Sequence, residues 1–489
     1  MKLTIAYPPL KKNHRVPLLS QNRQFQWFTS PTYIYPLIPA TLATILKKAK
    51  HQVYWLDGIA ENLTLNQFYQ QLKTQAPDFI FIETKTPIIK SYWHIVDEIK
   101  TFLPNTKIVF FGDHVTALPQ ESFKNCQLDY IITGGHYDIV APRLIKSIAK
   151  KQKLPNGIYY RQGKVIKHTG KFESTENLNK LPQIDRKLSK WHLYAYKNGN
   201  FKYTPGTYIM SGRDCWWRKN GGCKFCAWTI LYPEFSCRSV KSVIKEINHL
   251  VKHYHVKEIM DDTGTFPNGD WLRQFCQEMI KTGLNKQVTL GCNLRFGYLK
   301  KKDYQLLAKA NFRLLLFGLE SANQETLDKL NKGTFINQIE SELQVIKQVN
   351  QKSKSQLQPH LTCMIGYPWE NYSQAKNTIH FCKSLSQKGL IASLQATIIT
   401  PYPGTKLFNQ LRKKNLLTSM DWSDYDMSKS VIKTALTDHQ IKSLIRQTYS
   451  QALTPRLIYQ TLTSIKNPKD IFSLLNQAIK FTSKFKDFN

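Results

Sequence analysis

Three cysteines in one short stretch are the residues of this sequence best suited to do chemistry. Cys223 and Cys226 are separated by two residues, so one turn can direct both thiolates at one centre. Cys215 lies upstream across seven intervening residues, a segment loosened by Gly221 and Gly222. A structural zinc site usually closes with four Cys or His ligands, and ferredoxin-type clusters use four cysteines. Three thiolates with no obvious fourth therefore favour a 4Fe-4S cluster with one iron open to a substrate or cofactor.

A zinc site is the alternative for the same cysteines. Cys237 or His249 lies within reach along the chain and could complete a four-ligand zinc knuckle. The spacing of the cysteines alone leaves both interpretations open.

The other cysteines are scattered singly, mostly in apolar runs, which is typical of buried free thiols in a reducing compartment. They are Cys126, Cys276, Cys292, Cys363 and Cys382. The apolar run at the amino end is too short for a signal peptide, and no apolar stretch is long enough to span a bilayer. We therefore expect a cytoplasmic protein.

The bulk composition is that of a globular protein with several domains. The chain has 489 residues, 42% of them hydrophobic, which is enough for two to four domains with sizeable cores. The net charge of +35 invites a nucleic-acid partner, but the lysines are spread along the whole chain, as a compositional bias would spread them. An anionic lipid surface or a small anionic substrate fits this charge at least as well as RNA does.

The first part of the chain alternates strands and helices. Apolar patterning predicts strands over 2–7, 51–57, 78–83, 107–111 and 130–133, and helices over 39–49, about 89–103 and about 138–151. This order predicts a doubly wound (Rossmann-like) α/β domain with its ligand at the carboxyl ends of the strands. Glycines at those ends, among them Gly112, Gly134 and Gly135, would let the backbone approach a bulky ligand, or they form ordinary tight turns.

A second α/β alternation follows the cysteines and the strand before them. Predicted strands over 208–210, 257–261, 289–295, 313–320, 361–368 and 394–400 make six βα units, a partial TIM-type barrel. Asp261 and Asp262 end one strand, where barrel enzymes place working groups, although a helix cap is the alternative. Glu320 closes a very apolar strand, so it is either buried and paired or functional.

The predicted boundaries follow from these patterns. We expect a first domain over 1–155, a hairpin and linker over 156–200, the partial barrel over 201–430 and a helical, lysine-rich region over 431–489. That last region is either a bundle over the mouth of the barrel or an amphipathic surface for lipid-associated substrates. Its apolar positions are Leu444, Ile445, Ile458, Leu462, Ile471, Leu474 and Leu475.

The cysteine stretch, with the aromatic Phe225 before its last cysteine, resembles the radical SAM superfamily. The usual first gap in that superfamily is three residues, and here it is seven. The first domain resembles the cobalamin-binding domain that precedes many radical SAM domains, on the stretches 35–40, 51–53, 56–58, 77–78 and 111–119. Three features depart from it: Lys50 replaces the usual glycine, His136 replaces the usual acidic residue, and the Asp-x-His-x-x-Gly signature is absent.

The resemblance implies three cofactors and their ligands. The cluster would be held by Cys215, Cys223 and Cys226. S-adenosylmethionine (SAM) would be bound by Phe225, Asp261, Asp262, Thr263, Asn293, Arg295, Glu320, Ser321 and Gly366. Asp262 suits the methionyl amine, and Asn293 and Arg295 suit the ribose or carboxylate, unless these two simply face solvent at a strand end. Cobalamin, bound without a protein histidine on cobalt or lost altogether, would lie against Thr84, Thr86, Gly112, His114, Gly134 and Gly135.

The resemblance also implies an activity. It indicates a cobalamin-dependent C-methyltransferase that activates an unactivated carbon through a 5'-deoxyadenosyl radical. The first alternative is a cobalamin-assisted radical cyclase or oxidase acting on a tetrapyrrole, a lipid or a natural product. An alternative of another class is a non-enzymatic metal-centre protein that binds RNA. The implied partners are a small-molecule or lipid-like substrate and an external electron donor of flavodoxin or ferredoxin type, with a membrane surface still open and nucleic acid disfavoured.

Overall fold

The structure is a computed structural model that describes residues 1–17, 25–30, 32–172 and 177–452. Strands and helices alternate through both parts of the chain. The first part contains β1 (Lys2–Tyr7), β2 (Val16–Pro17), β3 (Trp27–Phe28), α1 (Leu37–Lys48), β4 (Gln52–Asp57), α2 (Leu65–Gln75), β5 (Phe79–Thr84), α3 (Ile89–Phe102), β6 (Lys107–Gly112), α4 (Asp113–Ala117), α5 (Pro119–Asn125), β7 (Tyr130–Ile132), α6 (Tyr137–Ala149), β8 (Ile158–Gln162) and β9 (Val165–His168).

The second part begins with a short helix and ends with a long one. It contains α7 (His192–Ala195), β10 (Gly206–Ile209), β11 (Gly212–Arg213), α8 (Trp228–Leu231), β12 (Ser236–Cys237), α9 (Val240–Tyr254), β13 (Glu258–Asp261), α10 (Asp270–Lys281), β14 (Thr289–Leu294), α11 (Lys301–Lys309), β15 (Phe312–Glu320), α12 (Gln324–Lys329), α13 (Ile336–Gln351), β16 (Gln358–Ile365), α14 (Tyr372–Gln387), β17 (Ser393–Ile398), α15 (Lys406–Lys413) and α16 (Asp438–Ala452).

The first sheet has seven strands in the order β4-β1-β5-β6-β7-β8-β9. Its first five are parallel, and the β8–β9 hairpin adds to the edge in antiparallel fashion. When the five parallel strands are numbered among themselves along the chain, their order across the sheet is 2-1-3-4-5. This order confirms the predicted doubly wound fold, in which the ligand crevice lies at the carboxyl ends of the strands. Strand β5 is buried over its whole length, as its uninterrupted apolar run predicts.

Two local features of the first part show what the sequence does and does not reveal. Lys50 adopts a φ of +63°, so it makes the left-handed turn that glycine usually makes after a helix. Helix α2 was not predicted, because only Phe68 and Leu72 are buried on it. Its start was nevertheless marked, since Thr64 and Gln67 form a reciprocal capping box there.

The second sheet has six parallel strands in the order β10-β13-β14-β15-β16-β17. Sequential parallel strands joined by helices confirm the six predicted βα units. The carboxyl ends of all six strands therefore lie along one edge. At this edge β10 is followed by the segment 210–237, which contains Cys215, Cys223 and Cys226 and is called the cysteine loop below.

The helical region after residue 430 is described as far as residue 452. Leu444 and Ile445 on α16 are fully buried in the core of the second part, and α16 packs on α14 and β17. The described part of this region therefore adds to the outer helical layer of the second sheet. Five of the predicted apolar positions lie outside the described residues: Ile458, Leu462, Ile471, Leu474 and Leu475.

The two parts contact each other through the carboxyl ends of their sheets. Trp228, Leu231 and Tyr232, which follow the cysteines, belong to the same apolar core as one face of the first sheet. On the other side of the contact, Gly404 lies so close to Ala117 that a Cβ on the glycine would be 2.8 Å from the alanine Cβ. The two predicted cofactor edges thus face each other. Among the described residues, no helix is both long enough and apolar enough to cross a membrane.

We predict that Gly112→Ala destabilises the protein more than Gly163→Ala does. Both glycines have positive φ values, +115° and +60°. A Cβ on Gly112 would also overlap the carbonyl oxygen of Thr84, whereas nothing lies within 4 Å of a Cβ on Gly163. Backbone strain alone costs about 1–3 kcal/mol, so Gly112→Ala should exceed that and lower the urea midpoint further. Equal midpoints for the two variants would contradict the close packing of β5 against β6.

Candidate active site

The cysteine loop begins directly after β10 and is closed at its base by a short β-ribbon. Gly212 and Arg213 pair in antiparallel fashion with Cys237 and Ser236. Beyond the ribbon, the Gly264 amide donates to the carbonyl oxygen of Asp214 at 3.0 Å. These bonds fix the backbone on the amino-terminal side of Cys215.

Arg295 brings two of the three cysteines to one place. Its Nη1 lies 3.5 Å from Sγ of Cys223, and it is only 5% exposed. Burial lowers the pKa of Arg295, but the thiols of Cys223 and Cys215 raise it, so the net shift is upward. Sγ of Cys215 is also 2.9 Å from Oγ1 of Thr265, in the loop after β13. Cys226 follows, with its amide donating to the carbonyl of Cys223 at 3.2 Å.

The unusually long gap between the first two cysteines forms a folded aromatic cover. Residues Trp216–Asn220 make a 3₁₀ turn. The guanidinium of Arg295 lies 4.7 Å from the ring centroid of Trp217 and 5.9 Å from that of Trp216. The Trp217 ring occupies the space a Cβ on Gly333 would need, which explains the glycine there. The additional residues therefore surround Arg295 with indole rings and shield it from water.

The three cysteines are not arranged as ligands of a single ion. Across the described residues, no group of three or more Cys, His, Asp or Glu side chains is placed to hold one metal ion. Cys237 instead donates to the carbonyl of Arg238 at 3.3 Å, and the His249 ring lies 4.6 Å from that of His253. Among the described residues, neither Cys237 nor His249 forms a group with the three cysteines around one ion. A four-iron cluster places each cysteine on a different iron, so its thiolates stand farther apart than the ligands of one ion.

Residues 261–263, at the end of β13 and just after it, form an acidic loop that is hydrogen-bonded to the start of the cysteine loop. The Asp261 carboxylate is 3% exposed and accepts from the amide of Ser211 at 3.0 Å, and Thr263 Oγ1 accepts from the amide of Gly212 at 2.9 Å. Burial raises the pKa of Asp261 above its usual value, against the lowering effect of these hydrogen bonds. Asn293 joins the same group, since its Nδ2 donates to the carbonyl of Thr263 at 2.9 Å. These three side chains therefore hold backbone, while Asp262 between them is half-buried.

Glu320 is buried and paired. Its carboxylate accepts from Nζ of Lys332 at 2.6 Å, and both residues are about nine-tenths or more buried. Glu320 has a φ of +67°, an uncommon conformation for a non-glycine residue. Gly318 is required beside them, because a Cβ there would be 2.7 Å from Nζ of Lys332. The sequence indicated a paired or functional carboxylate, and only the structure identifies Lys332 as its partner.

Ser321, Gly366 and Phe225 are held by neighbouring elements. Ser321 Oγ donates to Oε1 of Glu370 at 2.7 Å, deep in the fold. Gly366, with a φ of +99°, lets Ile441 of α16 approach the end of β16. Phe225 is half-buried against the apolar core on the far side of the loop. Of the residues predicted for SAM, the structure brings Asp261, Thr263, Asn293 and Arg295 around the cysteines.

The predicted cobalamin residues lie together at the carboxyl edge of the first sheet. Thr84 and Gly112 are in contact, with Thr84 Oγ1 donating to the carbonyl of Phe111 at 2.9 Å. His114 is fully buried; its ring nitrogens lie 3.3 Å from Oγ1 of Thr86 and 3.0 Å from Oε2 of Glu121. Both ring nitrogens of His114 thus have protein partners.

The last turn of this edge touches the cysteine loop itself. The amide of Gly135 donates to the carbonyl of Leu231 at 2.8 Å, and Gly134 has a φ of +83°. A Cβ on Gly135 would overlap the ring of Tyr232. The glycines here and at Gly112 are thus needed for contacts within the protein, which is the tight-turn interpretation of these positions.

Several buried side-chain polar atoms of the second part have no protein partner. Among the described residues, five such atoms belong to the cysteine loop or to the ends of the second sheet's strands and the turns just after them: Trp216 Nε1, Arg295 Nε, Tyr367 Oη, Glu370 Oε2 and Thr397 Oγ1. Native proteins rarely leave buried polar groups unpaired, and such groups often mark ligand sites. A polar ligand carrying amine, carboxylate and hydroxyl groups fits this set of donors and acceptors.

The arrangement of two α/β parts with facing carboxyl edges has a counterpart among solved structures. The solved structure of the radical SAM methyltransferase TsrM from Kitasatospora setae, with tryptophan substrate and a SAM analogue, superposes with a TM-score of 0.70 at 12% identity. The match covers 93% of this chain and 90% of that one, and TsrM has also been solved with cobalamin and a 4Fe-4S cluster. The fold is therefore that of cobalamin-dependent radical SAM enzymes, which confirms the resemblance.

Sequence relatives agree with this class. An uncharacterised methyltransferase of Pyrococcus horikoshii is 26% identical over 469 residues, which is 94% of this chain and 95% of that protein. An anaerobic magnesium-protoporphyrin IX monomethyl ester cyclase of Cereibacter sphaeroides is 24% identical over 429 residues, 85% of this chain but 66% of the cyclase. No family model matches the chain.

We predict that Lys332→Met strongly destabilises the fold, because it leaves the Glu320 carboxylate buried without its partner. Removing one member of a buried ion pair costs roughly 3–5 kcal/mol. Lys329→Met is the matched control, since Lys329 pairs with Glu325 on the surface of α12, where such a pair contributes about 0.3–0.5 kcal/mol. Urea unfolding of both variants measures the difference. Similar midpoints would show that Glu320 does not depend on Lys332.

Proposed function

We propose that this protein is a cobalamin-dependent radical SAM enzyme that methylates an unactivated carbon of a small organic substrate. The observation that carries the proposal is the cysteine loop, which follows β10 at the edge that faces the first domain. Within it, Sγ of Cys223 lies 3.5 Å from the buried Arg295 and Sγ of Cys215 lies 2.9 Å from Thr265. Nearly full-length similarity to a methyltransferase and to the fold of TsrM supports this proposal.

The loop would hold a 4Fe-4S cluster through Cys215, Cys223 and Cys226. We assign no fourth protein ligand to this cluster, so one iron would be left for SAM. When bound, the cluster and SAM supply one-electron cleavage of a sulfonium carbon–sulfur bond, and cobalamin supplies a methyl carrier. The protein contributes position, charge and exclusion of water.

The residues around the loop would bind SAM in distinct ways. Arg295 presents a buried cation and an unpaired Nε on the side of Cys223, which suits a carboxylate. Glu370 presents an unpaired buried Oε2, which suits a hydroxyl or amine donor. We assign Asp262, the half-buried member of its loop, to the methionyl amine, and Phe225, Thr263, Asn293, Glu320, Ser321 and Gly366 to the walls of the same site. Asp261 supports the loop from behind.

Cobalamin would lie between the two edges, against Thr84, Thr86, Gly112, His114, Gly134 and Gly135. We propose the division into 1–155, 156–200, 201–430 and 431–489, with the β8–β9 hairpin added to the edge of the first sheet and α16 packed against the second part. A cobalamin-assisted ring closure on a tetrapyrrole is the second candidate, because a cyclase is among the similar proteins over 85% of this chain. SAM labelled in its methyl group separates the two, since only methylation transfers the label to the product.

The reaction requires an external one-electron donor, and we propose a flavodoxin- or ferredoxin-type protein in the cytoplasm. Exposed lysines lie on the outer side of the cysteine loop, where such an acidic protein can approach. Nζ of Lys406 is 3.3 Å from the carbonyl of Gly221, and exposed Lys219 lies on the 3₁₀ turn beside it. The Gly221 that Lys406 contacts is two residues before Cys223 in the sequence.

Cys223→Ala should abolish 5'-deoxyadenosine formation from SAM by the anaerobically reconstituted protein, because it removes one of three cluster ligands. Cys237→Ala is the matched control and should keep both the iron content and the activity. The zinc interpretation makes the opposite prediction for Cys237, which would then be a ligand. Undiminished product from Cys223→Ala would rule out the cluster assignment.

Replacing the exposed lysines should affect a protein donor but not a small one. We predict that Lys219→Glu/Lys406→Glu slows flavodoxin-supported 5'-deoxyadenosine formation about tenfold at low salt, because like charges oppose the encounter. The dithionite-supported rate should stay unchanged. Lys281→Glu/Lys286→Glu, at the opposite edge of the second sheet, is the control with the same change in net charge. An equal loss in both double variants would place the donor elsewhere.

A further inference from the structure

A buried ion pair links the cysteine loop to the first domain. Nη1 and Nη2 of Arg213 donate to the two carboxylate oxygens of Asp138 at 2.9 and 2.5 Å. Nη1 also lies 2.9 Å from Nδ1 of His136. Arg213 is 4%, Asp138 0% and His136 6% exposed, so water does not compete for these bonds. A bidentate arginine–carboxylate pair of this kind fixes direction as well as distance.

His136 is a fixed acceptor in this arrangement. A guanidinium only donates, so Nδ1 of His136 carries the lone pair and its proton is on Nε2. Burial, and then the positive charge of Arg213, lower the pKa of His136 to about 3. The ring therefore stays neutral near neutral pH and keeps accepting from Arg213.

Arg213 controls the backbone that leads to the first cysteine. Only Asp214 separates it from Cys215, and Asp214 has a φ of +72°, a strained conformation for a residue with a side chain. Such strain persists only where the surroundings impose it. Here the restraints are Arg213 on one side and, on the other, the Gly264 amide, which donates to the Asp214 carbonyl.

The other end of the loop is held by the same turn of the first domain. The Leu231 carbonyl accepts from Gly135, and the hydroxyl of Tyr232 donates to the Gly135 carbonyl at 3.3 Å. The rings of Tyr232 and His136 also meet edge to face at 5.1 Å. Residues 134–138 thus contact the cysteine loop both before its first cysteine, at Arg213, and after its last cysteine, at Leu231 and Tyr232.

We infer that Asp138 and His136 are positioning residues for the cluster site, acting through Arg213. They hold Cys215 in the direction that the other two cysteines require, so the first domain helps to organise a metal site located in the second. This inference rests on the proposed function, because it presumes a cluster on the three cysteines. Since Gly134 and Gly135 also belong to the proposed cobalamin edge, one rigid turn borders both cofactor sites.

The test must separate positioning from stability. Arg213→Met/Asp138→Leu replaces the ion pair by apolar groups of similar size, a change that often leaves stability unaltered. We expect this double variant to fold and to reconstitute, but to lose iron to a chelator about tenfold faster than the wild type, because two charge-assisted bonds are gone. Its reduced cluster should also show an altered electron paramagnetic resonance (EPR) spectrum.

Two further variants complete the experiment. Asp138→Glu keeps the carboxylate and should recover most of the resistance to the chelator. Asp129→Asn breaks the Lys100–Asp129 pair, a partly buried ion pair of the same domain away from the loop, and should leave iron release and the EPR spectrum unchanged. All rates are measured below the onset of unfolding of each variant.

The outcomes are distinct. Wild-type iron release and spectrum in the folded double variant would overturn the positioning role. Where the double variant fails to fold, Arg213→Lys decides, because lysine cannot form the two-pronged contact with Asp138 and should release iron faster. Iron release from Arg213→Lys equal to that from Asp129→Asn would also overturn the positioning role. A wild-type protein that takes up no 4Fe-4S cluster would instead refute the proposed function, and the positioning role with it.

Discussion

The proposed function requires the cysteine loop to present three thiolates in one geometry while a fourth position stays free for a ligand that is not part of the protein. A loop of this length does not hold such a geometry by itself, because fixing each backbone residue costs about 1–2 kcal/mol of conformational entropy. The structure meets this cost with buried polar contacts from all sides. The acidic loop after β13 bonds the backbone at the start of the cysteine loop, and Arg295 contacts Cys223 inside it. The first domain contacts the loop near both of its ends.

Burial of charge recurs through the site and has a common reason. Arg213 with Asp138, Lys332 with Glu320, and Arg295 beside the cysteines are all removed from water. A buried charge is tolerated only when it is paired, and a paired buried charge is held in direction as well as position. The indole rings of Trp216 and Trp217 extend this protection over Arg295. The long gap between the first two cysteines, which departs from the usual spacing, is thereby explained as structure and does not argue against the site.

Much of the architecture followed from the sequence because it depends on local patterns. Strands such as β5 are continuous apolar runs, which the sequence displays directly. The three closely spaced cysteines were visible in the sequence, although their spacing alone left a zinc site open as well. Helix α2 was missed because only two of its residues, Phe68 and Leu72, are buried, so its sequence shows little apolar periodicity. The capping box at its start, Thr64 with Gln67, is present in the sequence.

The remainder depends on contacts between distant residues. Asp138 and Arg213 are 75 positions apart, and no periodicity connects them. Lys332 looks like any other lysine of a lysine-rich chain until Glu320 is seen beside it. His136 appeared only as a departure from the cobalamin-domain pattern, yet it accepts a hydrogen bond that helps to hold the cysteine loop. The glycines at 112 and 135 were expected either to admit a ligand or to form tight turns, and the structure shows close packing within the protein at both.

The account depends on an iron atom that the protein leaves free for SAM. The most direct measurement is an electron–nuclear double resonance spectrum of the reconstituted, reduced wild-type protein with SAM carrying a nitrogen-15 amino group. The account predicts a hyperfine coupling between that nitrogen and the cluster, absent from Cys223→Ala. A wild-type cluster whose spectrum is unchanged by SAM, or a bound metal that is zinc, would contradict it.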